Sequence, residues 1–544
     1  MGRGFSLKAH IVDVISRRIV KGTLVIENGK IANIIEADIP ANSPYVVPGF
    51  IDSHVHIESS MLIPSEFARL AVIHGTVGTV SDPHEIANVL GMQGVTFMIE
   101  NGKKTPFKFY FGAPSCVPAT PFETSGAVLG LPETEKLLMM PEIYYLSEMM
   151  NFPGVLFDDK DVIGKLKLAV KYGKPVDGHA PGVLGKDAEK YINSGISTDH
   201  ECFTLEEGLE KAEKGMIIQI REGSAAKNYE ALIQLLNHYP DKVMFCSDDK
   251  HPNDLVKGHM NEIIKRAFND GYDLFDILRA CTYVPKMHYK LDTGLLQVGD
   301  PADFVVLDNL MEFTVLSTFI NGEKVAECGK SLLRSVVETE PNIFKAESIT
   351  LSDLELKAET KKIRVFKVFD GELITESFVT EAKVENGLAI SDPERDILKM
   401  IVLNRYDKAM PAFGFIQNFG FNKGAIASTV AHDSHNIIAV GTNDQDMMRA
   451  VNLLIQSKGG ISLVNGEAES LLPLPVAGLM SAMDGYKVAE LYQKLDKKAK
   501  QLGTKLRSPY MTLSFMALLV IPDLKLSDKG LFDGKIFSFI PLFV

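Results

Sequence analysis

The 544-residue sequence predicts an α/β protein in which a (β/α)8 TIM-like barrel is inserted in a small β-sandwich and followed by a C-terminal α+β domain. Eight apolar runs between residues 47 and 249 alternate with helix-like stretches, as expected of repeated βα units around a parallel sheet. Hairpin signals stand on both sides of this series, and the alternation stops near residue 340. We therefore expect a sandwich over residues 1–47 and 295–335, a barrel over 48–294 and a C-terminal domain over 336–544.

The flanking β unit is predicted from short alternating strands with tight turns. Residues 23–27 and 31–35 are joined by Asn28-Gly29, a dipeptide that a two-residue hairpin turn prefers. Strands of the same character recur at residues 303–307, 314–320 and 323–326, with Asn321-Gly322 between the last two. The ends of an inserted domain usually lie close together, so both groups are expected to form one sandwich around the barrel.

Each of the eight apolar runs of the barrel ends in polar or small residues. The runs cover residues 47–56, 76–85, 107–116, 143–149, 175–180, 195–201, 216–222 and 243–249. In a (β/α)8 barrel the carboxyl ends of the strands form the active-site face. Loop polarity alone would favour Ser, Asn, Gly and Lys, whereas a histidine or a carboxylate stands at nearly every strand end.

After residue 340 the pattern predicts a separate α+β domain. Hairpin signals recur at Asn386-Gly387 and Asn465-Gly466, and residues 444–456 are helix-like. The cluster His432-Asp433-Ser434-His435 could bind a metal through its two histidines, but no third ligand is evident in the sequence. We interpret it as a hydrogen-bonded loop.

Composition excludes several classes of function. The net charge of −13 argues against a nucleic-acid partner, because duplex binding needs clustered Lys and Arg. The five cysteines are odd in number and form no CxxC pair, which is typical of a protein of the reducing cytoplasm. The longest apolar run, near residues 515–521, is far shorter than the roughly 18 residues that span a bilayer, so no membrane partner is expected.

Residues that could bind a metal collect at the predicted strand ends. His54 and His56 stand at i and i+2, so both rings project from the same face of a strand. The full set from five strands is His54, His56, Glu148, His179, His200 and Asp248. Four imidazoles and two carboxylates are enough for two divalent ions that keep positions open for water.

The sequence resembles the amidohydrolase superfamily and, within it, the adenine deaminase family. The resemblance is carried by PGFIDSHVHIESSM, SDPHEIANVLG, DGHAPG, SDDKHP, TGLLQVGDPADFVVLDN and AHDSHNIIAVGTNDQDM, and it covers essentially the whole chain. It implies that His54 and His56 bind one metal, that His179 and His200 bind the other, that Glu148 bridges them, and that Asp248 is a ligand and proton carrier. The implied cofactor is binuclear Mn2+ or Fe2+, and a sequence does not choose between these metals.

The implied reaction is hydrolysis of adenine to hypoxanthine and ammonia in purine salvage, by attack of a metal-activated hydroxide on C6. Asp248 would act first as general base and then as general acid, and Glu85, beside His84, would protonate N1. Candidate residues for binding the purine base are Arg221, Glu222, Ser224, Ser115 and Cys116. The expected partner is the small molecule adenine, and a homodimer is expected.

Two alternatives remain at the level of sequence. One is another amidohydrolase, such as a guanine or cytosine deaminase or a cyclic-amide hydrolase. Many cyclic-amide hydrolases use a carboxylated lysine on strand four, whereas residues 143–149 contain Glu148 and no lysine. The other is a non-catalytic scaffold, which would be expected to have lost ligands. Zinc deaminases of the HxE and PCxxC type are excluded, because the sequence contains no PCxxC.

Overall fold

The computed structural model describes residues 4–544, and its first elements are four strands of one sheet. These are β1 (Phe5–Asp13), β2 (Arg18–Glu27), β3 (Lys30–Glu36) and β4 (Tyr45–Pro48). β2 and β3 form the predicted hairpin, whose turn residues Asn28 and Gly29 have φ values of 51° and 77°. Two successive positive φ values are the backbone of a type I′ turn, which explains the Asn-Gly pair.

Eight parallel strands follow and form the centre of the molecule. They are β5 (Phe50–Val55), β6 (Thr76–Ser81), β7 (Lys108–Ala113), β8 (Ile143–Met149), β9 (Val176–Gly178), β10 (Thr198–Asp199), β11 (Ile217–Arg221) and β12 (Val243–Cys246). Strands β5–β9 and β10–β12 form two parallel arcs, and isolated parallel bridges join Val176 to Ile196 and Val55 to Asp248. The predicted barrel is therefore confirmed, and each predicted apolar run contains one of its strands.

Helices follow each barrel strand along the chain. They are α1 (Pro64–Ala71), α2 (His84–Leu90), α3 (Met92–Gly102), α4 (Leu131–Met139), α5 (Phe152–Leu156), α6 (Lys160–Lys171), α7 (Gly185–Asn193), α8 (Leu205–Glu213), α9 (Tyr229–Leu232), α10 (Pro252–Leu255), α11 (Met260–Asn269), α12 (Leu274–Ala280) and α13 (Tyr283–Tyr289). In α11 the buried residues are Met260, Ile263, Ile264 and Ala267, an i, i+3, i+4, i+7 stripe that packs inwards.

After the barrel the chain returns to the sheet in which it began. Strands β13 (Phe304–Leu307), β14 (Val315–Ile320), β15 (Glu323–Glu327) and β16 (Lys330–Ser331) join β1–β4 in one eight-stranded sheet. β13 pairs with β4, the strand that leads into the barrel. The chain therefore enters and leaves the barrel at neighbouring strands of this sheet. Along β13, Phe304 and Val306 enter the core of this β unit, whereas Val305 and Leu307 face the main core. The insertion predicted from the sequence is thus confirmed.

The remaining residues form three sheets with helices. The strands are β17 (Lys362–Lys367), β18 (Glu376–Glu381), β19 (Lys383–Glu385), β20 (Leu388–Ile390), β21 (Ile397–Leu403), β22 (Ala412–Gln417), β23 (Ala425–Ser428), β24 (Ile437–Gly441), β25 (Gly460–Asn465), β26 (Ala468–Pro473), β27 (Leu524–Ser527), β28 (Gly530–Asp533) and β29 (Ser538–Phe539). Strands β17, β18 and β21–β26 form a mixed eight-stranded sheet, β19 pairs with β20, and β27–β29 form the third sheet. The helices are α14 (Asp444–Ser457), α15 (Gly485–Gln501) and α16 (Pro509–Ser514). The predicted α+β class is confirmed, while the domain limits at residues 47, 294 and 335 stay predictions. Within residues 4–544 no helix is both long and apolar enough to cross a bilayer.

The C-terminal domain packs against the carboxyl ends of the barrel strands. Ser481 N–H donates to the carbonyl of Met61, after β5, at 2.9 Å, and Tyr492 Oη lies 2.5 Å from His251 Nδ1, after β12. One hydrophobic core runs through both domains. The active-site face of the barrel is therefore covered by this domain.

A buried lysine joins the strand ends that carry two of the predicted ligands. Lys211 on α8 is 1% exposed, and its Nζ lies 2.7 Å from the carbonyl of Ala180, 2.6 Å from Asp199 Oδ2 and 2.7 Å from Glu207 Oε1. In Lys211→Met both carboxylates would lose their buried cation, and we expect a loss of about 3–5 kcal/mol of folding free energy. A large fall in the midpoint of thermal unfolding would show this loss of folding free energy.

The control is Lys214→Met on the same helical segment. Lys214 pairs with Glu210 at 3.5 Å, and about one third of each side chain is exposed. Such pairs contribute less than about 1 kcal/mol, so the midpoint should hardly move. Equal shifts in the two variants would contradict the importance of the buried network.

Candidate active site

The structure brings all six predicted ligand side chains together at the carboxyl ends of the barrel strands. His54 lies on β5 and Glu148 on β8, and the others follow β5, β9, β10 and β12 directly. All six are buried. They are separated by up to 194 positions in sequence yet share one site, because the carboxyl ends of the strands of a (β/α)8 barrel meet at one face.

Glu148 lies at the centre of this group. Its Oε2 is 2.8 Å from His179 Nδ1 and 3.3 Å from His200 Nε2, and its Oε1 is 3.3 Å from His56 Nε2. Asp248 Oδ1 is 3.3 Å from His56 Nε2 and 3.7 Å from His54 Nε2. The carboxylate between the two histidine pairs occupies the place expected of a bridging ligand, and that role stays a prediction.

Several imidazole nitrogens of the group lack a hydrogen-bond partner within residues 4–544. They are both ring nitrogens of His54, Nε2 of His179 and Nδ1 of His200. Buried polar atoms are normally paired, so these unpaired nitrogens are unusual and are free to accept a further partner. The donor set contains nitrogen and oxygen but no thiolate, which fits a divalent metal ion.

The charges of the group depend on burial and on mutual contacts. Burial raises the pKa of Glu148, but hydrogen bonds from His179, His200 and His56 outweigh it and hold that pKa well below its ordinary value. Burial lowers the pKa of His200, but Glu148 outweighs it and raises the pKa to about 9. Burial, with the neighbouring rings of His200 and His56, lowers the pKa of His54. Glu148 is thus an ionised carboxylate at neutral pH, and His54 is a neutral imidazole.

Arg221 fixes the orientation of Asp248. One guanidinium nitrogen, Nη1, donates to Asp248 Oδ2 at 2.7 Å, and Nη2 donates to Glu201 Oε2 at 2.9 Å. Asp248 Oδ1 is left facing the histidines. Glu201 was missed by the sequence reasoning, although its place directly after His200 in the run Asp-His-Glu was a usable signal.

Four other candidates for purine binding have different partners. Ser115 Oγ donates to the carbonyl of Glu148 at 2.5 Å, and Cys116 Sγ contacts Met149 Sδ at 3.8 Å. Glu222 pairs with Lys227, and Ser224 Oγ donates to Asp254 Oδ2 at 2.8 Å. These four do not line the pocket above the histidines, whereas Arg221 does. Their role in binding the base stays a prediction.

His84 and Glu85 begin α2, directly after β6, and link the ligand group to the pocket wall. His84 Nδ1 is 3.6 Å from Glu148 Oε1, and His84 Nε2 is 3.5 Å from Glu85 Oε1. Burial raises the pKa of Glu85, but the rings of His432, His435 and His84 outweigh it and hold that pKa well below its ordinary value. Glu85 is therefore a buried carboxylate at the pocket.

The C-terminal domain contributes part of the pocket lining. Its residues there are Leu373, His432, Asp433, Phe515 and Leu518. His432 Nδ1 lies 2.5 Å from Glu85 Oε1, and His435 Nε2 contacts Glu85 Oε2. The loop is hydrogen-bonded, as predicted, but its partner is a residue of the active-site face. Sequence reasoning did not place this domain in the site.

Comparison with known proteins decides the family. The model described as "Amidohydrolase family" matches residues 45–325, and "Adenine deaminase C-terminal domain" matches residues 372–538. Proteins named adenine deaminase are 54% identical in Methanosarcina mazei, over 98% of both chains, and 50% identical in Salinibacter ruber, over 100% of both. The chain belongs to the adenine deaminase family of amidohydrolases. Among solved structures, N-acetylglucosamine-6-phosphate deacetylase from Pasteurella multocida aligns at 18% identity with a TM-score of 0.47, over 60% of this chain and 100% of that chain.

An amidohydrolase is expected to bind a divalent metal, and this adenine deaminase family member contains ligand groups of the right kind. In one group His54, His56 and Asp248, and in another His54, Glu148 and His200, offer atoms that all lie within 4.8 Å of one another. All of these side chains are buried. The residues present therefore fit the metal that the family implies.

Proposed function

We propose that this protein hydrolyses adenine to hypoxanthine and ammonia. Water adds to C6 of the purine, the bond from C6 to the exocyclic nitrogen breaks, and that nitrogen leaves as ammonia. The observation that supports this most is the meeting of four histidines and two carboxylates beneath a buried pocket, in a chain of the adenine deaminase family. Both a metal-ligand set and separate acid and base candidates are present there.

The ligand set supports two divalent ions. His54 and His56 would hold one ion and His179 and His200 the other, with Glu148 between them and Asp248 as a further ligand. Bound divalent ions supply Lewis acidity and make water a nucleophile at neutral pH. We propose manganese or ferrous iron, because both accept nitrogen and oxygen donors.

Asp248 is proposed to carry a proton from the attacking water to the departing nitrogen. Arg221 holds Oδ2 of this carboxylate at 2.7 Å, so Oδ1 is the oxygen free to take the proton on the histidine side. A general base that becomes a general acid within one turnover needs a fixed position rather than mobility. The contact with Arg221 provides that position.

Glu85 is proposed to deliver a proton to N1 of the purine, so that charge does not build up on the ring during attack at C6. Its carboxylate is ionised before the reaction, so it must share a proton with a neighbouring donor. His432 Nδ1, 2.5 Å from Oε1, is close enough for such sharing. Leu373, Phe515 and Leu518 add apolar wall to the pocket and exclude water.

The test is release of ammonia from a panel of bases by manganese-loaded protein. Adenine should be turned over, chelation should abolish turnover, and restoring manganese should return it. If the protein turns over only guanine or cytosine, or hydrolyses a cyclic amide, adenine is not its substrate. Its assignment to the amidohydrolase family would still hold. Less than one metal per chain and no ammonia from any base would instead indicate a non-catalytic scaffold.

The homodimer and the cytoplasmic location belong to the proposal as predictions. Sedimentation equilibrium checks the first and cell fractionation the second.

A further inference from the structure

A carboxylate of the barrel is held by two imidazoles of the C-terminal domain. His432 Nδ1 lies 2.5 Å from Glu85 Oε1, and His435 Nε2 contacts Glu85 Oε2. Glu85 and His435 are 350 positions apart in sequence. All three residues are at most 5% exposed. Each oxygen of one carboxylate is thus engaged by a separate ring, which fixes both its position and the direction of its plane.

The hydrogen-bonding role of His435 is fixed by its other nitrogen. The N–H of Ala431 donates to His435 Nδ1 at 3.2 Å. A nitrogen that accepts a hydrogen bond carries no proton, so the hydrogen of the neutral ring is on Nε2, which donates to Glu85. His435 therefore acts as a fixed donor.

The loop that carries both rings is held from several sides. His435 N–H donates to the carbonyl of Ala431 at 2.8 Å, and Tyr406 Oη donates to the carbonyl of Ser434 at 2.6 Å. Asn436 Nδ2 donates to the carbonyl of Thr124, a barrel residue, at 2.9 Å. The ring of His432 stacks on Phe515, with centroids 4.9 Å apart and planes inclined by 18°. The two donors have little freedom to move.

We infer that His432 and His435 are positioning residues for Glu85, so that the C-terminal domain completes the active site in addition to covering it. The inference rests on the proposed function, in which Glu85 delivers a proton to the purine. A glutamate has three rotatable side-chain bonds, and the nearest nitrogen of the barrel residue His84, Nε2, is 3.5 Å away from Glu85 Oε1. A carboxylate held at one oxygen can still rotate, and a misplacement of about 1 Å can cost about 100-fold in rate.

The alternative is that the two contacts only dock one domain on the other. His435→Leu and His435→Gln in the full-length, metal-loaded protein separate these roles, because the glutamine amide can place a donor near the position of Nε2. We expect His435→Leu to lower kcat about 100-fold and to change KM less than about threefold, since the loss is one of orientation in the transition state. His435→Gln should regain at least about one tenth of the wild-type kcat, and both variants should keep the wild-type metal content.

The matched control is Asp484→Asn. Asp484 Oδ2 accepts from Arg69 Nη1 at 2.8 Å, a polar contact between the same domains outside the pocket. This variant should keep the wild-type kcat. If all three variants lose kcat in proportion to their loss of thermal stability, the histidines only dock the domain and the inference fails.

A second readout needs no turnover. Crystal structures of the metal-loaded variants should show Glu85 in more than one conformer in His435→Leu and in a single conformer in His435→Gln. A single, wild-type conformer in His435→Leu would overturn the inference. If the wild-type protein releases no ammonia from adenine, the proposed function fails, and the conformers still decide whether the histidines position Glu85.

Discussion

Glu148→Gln is expected to remove the metal from the purified protein and to abolish release of ammonia from adenine. Glu148 contacts His179, His200 and His56 within 3.3 Å, so it touches both predicted metal sites. The glutamine amide keeps the size of the side chain but loses its charge and turns a donor towards the rings. Changes to residues that only support ligands cost about 10–100-fold in metal affinity, so we expect a larger loss at Glu148.

Metal analysis of the purified variant, beside steady-state kinetics, measures this effect. The matched control is Glu142→Gln, which changes the same residue type just before β8, at the opposite end of the strand. Glu142 pairs with Lys103 at the surface, so metal content and turnover should stay at wild-type values. Wild-type metal content in Glu148→Gln would contradict a bridging role for this carboxylate.

The barrel and the ligand group could be predicted because both follow from local patterns. Each strand is an apolar run bounded by polar residues, and the parallel arrangement alone brings the carboxyl ends of the strands to one face. His54 and His56 could be assigned to one site because the side chains of a strand alternate with a period of two. The sequence therefore located side chains that meet although they are far apart in the chain.

The contribution of the C-terminal domain could not be predicted in this way. The pattern His432-Asp433-Ser434-His435 indicates a polar loop, but no periodicity relates it to Glu85. Their contact depends on how one domain packs on another, which involves buried surfaces such as that of Phe515 rather than a local signal. Likewise a sequence does not show which carboxylates surround Arg221. In the structure its guanidinium donates hydrogen bonds to Asp248 and Glu201.

Asp248→Asn is expected to lower kcat by about 10²–10⁴-fold, the contribution typical of a general acid–base residue. Asparagine keeps the shape of the side chain but takes no proton at neutral pH, so both transfers assigned to Asp248 lose their carrier. Metal content must be measured in the same samples, because Asp248 is also a predicted ligand. A variant that keeps its metal and its kcat would show that another group carries the proton.

Arg221 provides the decisive cross-check on this role, since its Nη1 contacts Asp248 Oδ2 at 2.7 Å. If Arg221 acts by orienting Asp248, then Arg221→Gln should lower kcat in the wild-type background and have almost no further effect in Asp248→Asn. Independent, additive losses would instead mean that Arg221 contacts the purine directly, which is the role that the sequence predicted for it. The double-mutant cycle thus decides between positioning of the base and recognition of the substrate.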